Sequence, residues 1–207
     1  SLFNMMAGAS NSIISNVDIL MVGLLLTAES LPMAGVYAIM VYLGNAIIMP
    51  TKGLSTIASP LIAGYSERGE KEKMERMYKR TSLNQMIAVG FLMIAVYINL
   101  PVLLGIMDVS YEVGMPVFLL IGTARLIQSA VGVNGMIINF SEYYRYTTYF
   151  IMGLAAVAIT TNYLLIPKMG LIGAALASLV SIGGFEFLKL LFVWRKFKLQ
   201  PFHKKHF

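Results

Sequence analysis

Long apolar runs follow one another along this chain and are separated by shorter polar connections. A helix needs about 20 mostly apolar residues to cross the hydrocarbon core of a bilayer, and these runs have that length. We therefore predict six membrane-spanning helices, over Leu2–Leu26, Met33–Gly64, Ser82–Met107, Gly114–Phe140, Thr147–Ile166 and Leu171–Trp194.

The composition indicates the same class of protein. Hydrophobic residues make up 57% of the 207 residues and charged residues 13%, whereas soluble domains average about 45–50% and about 25%. The runs are too long for barrel strands, which need about 9–11 alternating residues, and a backbone in lipid must satisfy its own hydrogen bonds. We predict an all-α integral membrane protein, a bundle of about six transmembrane helices.

The placement of basic residues predicts the orientation of the bundle. They concentrate in the second connection (residues 66–80), at Arg145 in the fourth connection, and in residues 195–207 after the last span. The first and third connections hold no Lys or Arg, and the fifth holds only Lys168. Basic loops stay on the cytoplasmic side, so both termini are predicted to be cytoplasmic. Residues 1–194 then form a six-helix lobe, followed by a basic cytoplasmic tail.

The second connection is predicted to form a short amphipathic helix along the cytoplasmic surface. Met74, Met77 and Tyr78 share one face at helical spacing, and Glu75 precedes Lys79 by one turn, the favourable order for an ion pair. A solvated charged linker is the alternative interpretation.

Several chemistries find no support in the sequence. The net charge of +6 does not indicate nucleic acid, because the basic residues lie beside apolar spans as orientation signals do. The absence of cysteine excludes disulfides, thiolate metal sites and a cysteine nucleophile. The only histidines, His203 and His206, lie in the basic tail without an acidic neighbour. We expect no enzymatic activity, no metal and no cofactor.

Polar side chains form a stripe on one side of three predicted spans. Spacings of three and four residues return to the same face of a helix. The stripes comprise Asn4, Gly8, Asn11, Ser15 and Asp18 in the first span, Asn45, Lys52, Ser55, Thr56 and Ser59 in the second, and Arg125, Gln128, Gly132, Gly135 and Asn139 in the fourth. They predict a shared wet compartment; the alternative is that they join helices through hydrogen bonds.

Three of these residues, Asp18, Lys52 and Arg125, are charged and lie near the middle of their spans. Each would cost roughly 2.5–3.5 kcal/mol if it faced lipid. One acid cannot neutralise two bases, so a spare positive charge predicts a cavity for an anion. The alternative is a pair of Asp18 with Lys52 or Arg125 that only locks helices. The candidate binding residues are Lys52, Arg125, Asp18, Asn11, Ser15, Ser55, Gln128 and Asn139.

The last span ends with a further acid and base. Glu186 and Lys189 lie three residues apart toward the predicted cytoplasmic end, where we expect an interfacial ion pair. Gly170, Ala174 and Ser178, four residues apart, predict close helix packing in the same span.

Residues 162–178, NYLLIPKMGLIGAALAS, resemble a recurrent segment of polysaccharide-exporting flippases, in which Asn, a LIP turn and Gly precede a Gly-Ala-Ala helix. Asn11 and Asp18, followed by VGLLL and AGVYAIM, are similar to the opening of that family's second lobe. The segment PTKGLSTIASPLIAGYSERGEKEKMERMYKR resembles the helix and amphipathic connection that follow. The family is the multidrug/oligosaccharidyl-lipid/polysaccharide (MOP) exporter superfamily, in its O-antigen or capsule flippase branch.

The resemblance implies a fold of two lobes with a cavity between them, in which this chain is the second lobe. It places Lys52 in a helix that lines the cavity with cationic side chains, whereas Arg125 matches no family motif. The chain opens at Ser1 within a span, without an initiator Met, so we expect a piece of a longer protein.

The implied function is export of an isoprenoid-pyrophosphate-linked oligosaccharide across the bacterial inner membrane by alternating access. Lys52 and Arg125 would attract the pyrophosphate, and Asp18 would tune the cations or carry a coupling ion. The implied partners are the N-terminal lobe of the same protein, the lipid-linked oligosaccharide and membrane lipids, and not nucleic acid. Two other hypotheses remain: an ion-coupled exporter of cationic drugs, which needs a negative interior, and a scaffold subunit without transport, whose polar stripes would be filled by partner helices.

Overall fold

The computed structural model describes residues 18–25, 31–106 and 111–201, and these form helices joined by short turns. The first helix, α1, covers residues 18–25. It is followed by α2 (Leu31–Glu67), α3 (Lys71–Ile106), α4 (Tyr111–Val131), α5 (Asn134–Asn139) and α6 (Tyr144–Phe197). The described part contains no strand, which confirms the predicted all-α class.

Four of the described helices, α2, α3, α4 and α6, are long and apolar enough to cross a membrane. α3 shows the expected outward face most clearly: Phe91, Ile94, Ile98 and Val102 are all exposed and follow one another at helical spacing. An exposed apolar stripe of this length suits contact with lipid, which confirms the prediction of a membrane-embedded bundle.

Helix α6 turns back on itself at Gly170. Thr161 and Ser181 are separated by 20 residues, yet their hydroxyl oxygens lie 3.2 Å apart; in a straight helix that separation would be about 30 Å. Gly170 has φ 58° and ψ −133°, a combination that side chains with a Cβ avoid. Residues 144–169 and 171–197 are therefore two antiparallel arms, in agreement with the fifth and sixth predicted spans.

The two arms meet closely just after this turn. A Cβ atom added to Gly173 would lie 2.2 Å from the carbonyl oxygen of Leu165, so only a glycine fits there. Ala174, Ala175 and Ala177 are buried in the same stretch. The small residues of the last span therefore allow the two arms of α6 to pack closely, as the sequence predicts.

The fourth predicted span is interrupted in the structure. α4 ends at Val131, and a turn at Gly132, which has φ 42°, leads into the short α5. A Cβ on Gly132 would lie 2.9 Å from the Ser82 hydroxyl oxygen and 2.7 Å from Oε1 of Gln85. The close approach of α3 thus requires glycine at the break. The hydrophobic periodicity of the fourth span alone does not predict this requirement.

The connection of residues 66–80 differs from its prediction as a separate surface helix. From Lys71 onward it forms the first turns of α3, after a turn at Gly69 with φ 69°. Met74 and Tyr78 are buried against Ala58, Ile62 and other apolar residues at this end of the bundle. The apolar face covers the protein core, and that contact holds the segment in line with the span. The predicted Glu75–Lys79 pair is present at 2.7 Å.

Two apolar clusters form the core of the bundle. One, which includes Tyr37, Leu104, Phe118 and Leu171, joins α1, α2, α3, α4 and both arms of α6. The other lies at the end marked by Met74 and Leu199. Leu199, in the predicted basic tail, is 3% exposed, so the first residues after α6 fold back onto the bundle. The polar site lies beside these clusters.

Candidate functional site

A cavity of about 280 Å³ opens inside the bundle. It is bounded by α1, α2, α4, α5 and both arms of α6. This volume lies just below the range of about 300–1,000 Å³ that is typical of small-molecule pockets. Its polar wall is formed by Asp18, Arg125, Gln128, Asn139, Thr147, Ser178, Ser181, Glu186 and Lys189.

Asp18 is held by neutral hydrogen-bond donors. Asn162 donates from Nδ2 to Oδ1 of the carboxylate at 2.6 Å, and Ser178 donates its hydroxyl to Oδ2. The Ser178 hydroxyl also contacts the hydroxyl of Tyr37 at 3.1 Å. Asn162 and Ser178 belong to different arms of α6, so the turn at Gly170 assembles this carboxylate site. These bonds offset part of the cost of burying the carboxylate and leave its charge unneutralised.

Arg125 is also held by neutral partners. It donates from Nη1 to Oε1 of Gln128 at 3.0 Å and from Nη2 to Oδ1 of Asn45 at 2.8 Å. Its Nε is buried without a hydrogen-bond partner among the described residues. Within residues 18–25, 31–106 and 111–201, no carboxylate forms a salt bridge with Arg125. Among the described residues, the guanidinium therefore has neutral hydrogen-bond partners and no salt bridge.

A close crossing of α2 and α4 positions this arginine. A Cβ on Gly44 would lie 2.5 Å from Cγ2 of Ile121, so the missing side chain lets the two helices approach. Asn45 follows Gly44, and Arg125 lies one turn after Ile121. The glycine thus brings the amide of one helix to the guanidinium of the other.

Asp18 and Arg125 line one cavity without forming a salt bridge with each other. The alternative interpretation of an Asp18–Arg125 lock, or an Asp18–Lys52 lock, is not realised in the described part of the chain. Two opposite charges therefore face a common space, and each is solvated by uncharged side chains.

A second pair of charges on the cavity wall was missed as a site by the sequence analysis. Nζ of Lys189 lies 2.6 Å from Oε1 of Glu186 and 4.4 Å from the ring centroid of Phe185. The predicted pairing is confirmed, but Glu186 is only 3% exposed and both residues line the cavity. Their spacing from Ser178 repeats the three- and four-residue intervals used for the other stripes, and that signal could have placed them inside.

The structure brings together some of the predicted binding residues and separates others. Arg125, Asp18, Gln128 and Asn139 line the cavity, and Asn139 accepts a hydrogen bond from Thr147 at 2.7 Å. Asn11 and Ser15 lie outside the described residues.

Lys52 and Ser55 do not line this cavity. Lys52 is exposed on the outside of α2. Ser55 accepts a hydrogen bond from Nε2 of Gln85 at 3.2 Å and so joins α2 to α3. For Ser55 the alternative of a helix-joining hydrogen bond describes the observed contact.

The charge balance of the cavity differs from the prediction. Its wall carries two acids, Asp18 and Glu186, and two bases, Arg125 and Lys189. With all four ionised the wall is formally neutral, because Lys52 lies outside and Glu186 lies inside. The positive surplus that predicted an anion site therefore does not arise in this cavity. The cavity nevertheless contains a guanidinium, that of Arg125, without a salt-bridge partner among the described residues.

No cluster of three or more metal-binding His, Asp or Glu side chains occurs in the part of the chain that the structure describes. Comparisons of the chain with protein-family models, with curated proteins and with solved structures each gave no match. The resemblance to the MOP exporters therefore rests on the sequence segments quoted above and stays a prediction.

Proposed function

We propose that this chain is one lobe of a two-lobed flippase that moves an isoprenoid-pyrophosphate-linked oligosaccharide across the bacterial inner membrane. The observation that carries the proposal is Arg125, a guanidinium inside an apolar bundle that faces a cavity and has no carboxylate partner within 4.0 Å among the described residues. A charge inside a membrane protein marks a substrate or ion path by default.

The hydrogen-bonding capacity of Arg125 supports an anionic cargo. A guanidinium has five N–H donors in a planar fork that matches phosphate and carboxylate oxygens. Asn45 and Gln128 take one bond each, and Nε is unpaired in the described part of the chain. Nη1 and Nη2 each carry one further N–H group, and a phosphate oxygen at these donors would also neutralise the charge.

Lys52 has a separate role in the proposal. It is exposed on α2, where it would face the N-terminal lobe of the same protein rather than the cavity within this lobe. A two-lobed transporter binds its cargo between the lobes and rocks one against the other. Lys52 would then meet the pyrophosphate in the space between the lobes, while Arg125 would meet cargo or anion within this lobe.

The topology completes the proposal. Six spans follow if the predicted first span and the two arms of α6 each cross the bilayer. Both termini then lie on the cytoplasmic side, together with the basic residues 66–80 and the tail. The lipid tail of the cargo would stay in the bilayer beside exposed apolar faces such as that of α3.

Glycan export by the full-length protein tests the proposal. We expect Arg125→Ala and Lys52→Ala each to reduce the surface glycan of cells that depend on this protein. Lys168→Ala is the matched control, because Lys168 is exposed beside the turn between the arms of α6. If both variants, Arg125→Ala and Lys52→Ala, reach the membrane in normal amounts and export is unchanged, the proposal is wrong.

A second candidate function is ion-coupled export of organic cations, favoured by one observation. Asp18 faces the cavity with only neutral donors on its carboxylate, so it could attract a cation from the cavity. Growth in the presence of cationic dyes separates the two functions: an exporter of cations would confer resistance that Asp18→Asn removes, whereas the flippase would not.

A further inference from the structure

We infer that the cavity of this lobe is a binding site for a zwitterion, a small group that carries an ammonium and a carboxylate together. The inference deepens the proposed function and rests on it for the cargo: the exported glycan would contain a sugar unit with both an amino and an acidic group. The geometric basis is one cavity whose wall holds two charges of opposite sign that form no direct salt bridge with each other.

The first step concerns the separation of the charges. If Asp18 and Arg125 formed a direct salt bridge, a ligand would have to break it. The free energy of binding would then gain little from a new ion pair with either residue. Neither residue forms such a bridge within the described residues. Each is held in place from behind by amides or hydroxyls, with bonds from Asn162 and Ser178 to Asp18 and to Gln128 and Asn45 from Arg125.

The second step concerns the other charges on the wall. Glu186 and Lys189 neutralise each other at 2.6 Å, so they do not compensate Asp18 or Arg125. Of the four charged residues in the described part of the cavity wall, Asp18 and Arg125 are the two without a salt bridge. A singly charged ligand would satisfy one of them and leave the other uncompensated in a low-dielectric setting.

The third step matches the donors and acceptors. An ammonium offers three donors and no acceptor, which suits the carboxylate of Asp18. A carboxylate offers only acceptors, which suits the Nη1 and Nη2 groups of Arg125, since each gives only one of its two N–H groups to Gln128 or Asn45 among the described residues. A zwitterion pairs both charges at once and brings no net charge into the bundle. The volume of about 280 Å³, just below the range typical of drug-sized ligands, suits one small zwitterionic group.

Three probes of equal chain length test the inference: β-alanine, propionate and propylamine. Binding of each to the full-length protein, purified in lipid nanodiscs, is measured by equilibrium competition against radiolabelled β-alanine. We expect β-alanine to bind at least about tenfold more tightly than either singly charged probe, the ratio that one extra charge-assisted hydrogen bond gives. This comparison uses the wild-type protein and does not depend on the folding of any variant.

Two variants then assign the ends of the ligand. Asp18→Asn should lower the affinity for β-alanine to that for propionate, and Arg125→Gln should lower it to that for propylamine. Lys168→Gln, exposed and outside the cavity, should leave the affinity for β-alanine unchanged. Tighter binding of propionate would show a plain anion site, and tighter binding of propylamine a plain cation site; either result overturns the inference.

If no probe binds, the inference is also wrong. Its failure is distinct from that of the proposed function. Loss of glycan export in Arg125→Ala with no preference for β-alanine would leave the flippase proposal standing alone. Preference for β-alanine with unchanged glycan export would leave the zwitterion site standing without the flippase.

Discussion

Arg125 of α4 donates a hydrogen bond from Nη2 to Oδ1 of Asn45 on α2 at 2.8 Å. The partner is an amide, where a carboxylate would have neutralised the arginine. A neutral acceptor fixes the direction of the guanidinium and leaves its charge for whatever enters the cavity. A neutral partner of this kind distinguishes a binding residue from a member of a structural ion pair. The proposed function therefore requires an amide, and not a carboxylate, at position 45.

Asn45→Asp should make the charge of Arg125 unavailable to the cargo. The new carboxylate would pair with Arg125 and compete with an anionic cargo for an interaction of about 1.5–3 kcal/mol, so glycan export should fall by about tenfold or more. Surface glycan is the measurement, with the amount of membrane-inserted protein checked beside it. Asn84→Asp, at an exposed position of α3, should leave export unchanged. Normal export in Asn45→Asp would contradict the role given to Arg125.

Gly170→Ala should destabilise the protein by about 1–3 kcal/mol, because φ 58° with ψ −133° is strained for any residue with a Cβ. The midpoint of thermal unfolding in detergent should fall. Gly153→Ala provides the control, since it lies in a helical arm with open space around its Cβ position, and it should be neutral or slightly stabilising. Equal effects of the two substitutions would show that α6 does not need the turn.

Gly173→Ala should separate the arms of α6 by a steric clash. Its Cβ would lie 2.2 Å from the Leu165 carbonyl oxygen, and backbone atoms cannot move aside as a flexible side chain does. We expect a loss of about 1–3 kcal/mol or more, measured by titration with a denaturing detergent. Gly184→Ala, in the same arm with no atom within 4 Å, should be tolerated. A well-folded Gly173→Ala protein would refute the close packing of the arms.

Removal of one member of the buried Glu186–Lys189 pair should be costly. The side chains are 4% and 14% exposed, so Glu186→Ala leaves a poorly solvated ammonium and should cost about 3–5 kcal/mol. The double variant Glu186→Leu/Lys189→Met should recover most of that loss. The Glu70–Lys73 pair, 28% and 59% exposed, gives the comparison: Glu70→Ala should cost less than about 1 kcal/mol. If the stability losses of the two single variants simply add in the double variant, Glu186 and Lys189 are not coupled.

Thiol labelling distinguishes a wet cavity from stripes filled by partner helices. The chain has no cysteine, so each single-cysteine variant reports one position. We expect Gln128→Cys, on the cavity wall, to react with a membrane-impermeant maleimide in membranes that contain the full-length protein. Val89→Cys, 0% exposed on α3, should stay unlabelled. Complete protection of Gln128→Cys would favour the scaffold hypothesis over transport.

The sequence determined the helices and their membrane character. Apolar runs of bilayer length with few charges predict each span from its own segment of sequence, because each span must satisfy its own backbone hydrogen bonds in lipid. Helical spacing also placed Asp18, Arg125, Gln128 and Asn139 on inward faces, and all four line the cavity.

Only the tertiary structure decided which polar residues share the cavity and which are paired. The turn at Gly170 brings Asn162 and Ser178 to the same carboxylate, although nothing in the local sequence links them to Asp18. Lys52 has the same mid-span position as Arg125 in the sequence, yet it faces outward. Glu186 resembles an interfacial residue and is buried on the cavity wall. Periodicity fixes the face of one helix, whereas the charge balance of a cavity depends on how several helices are rotated and packed together.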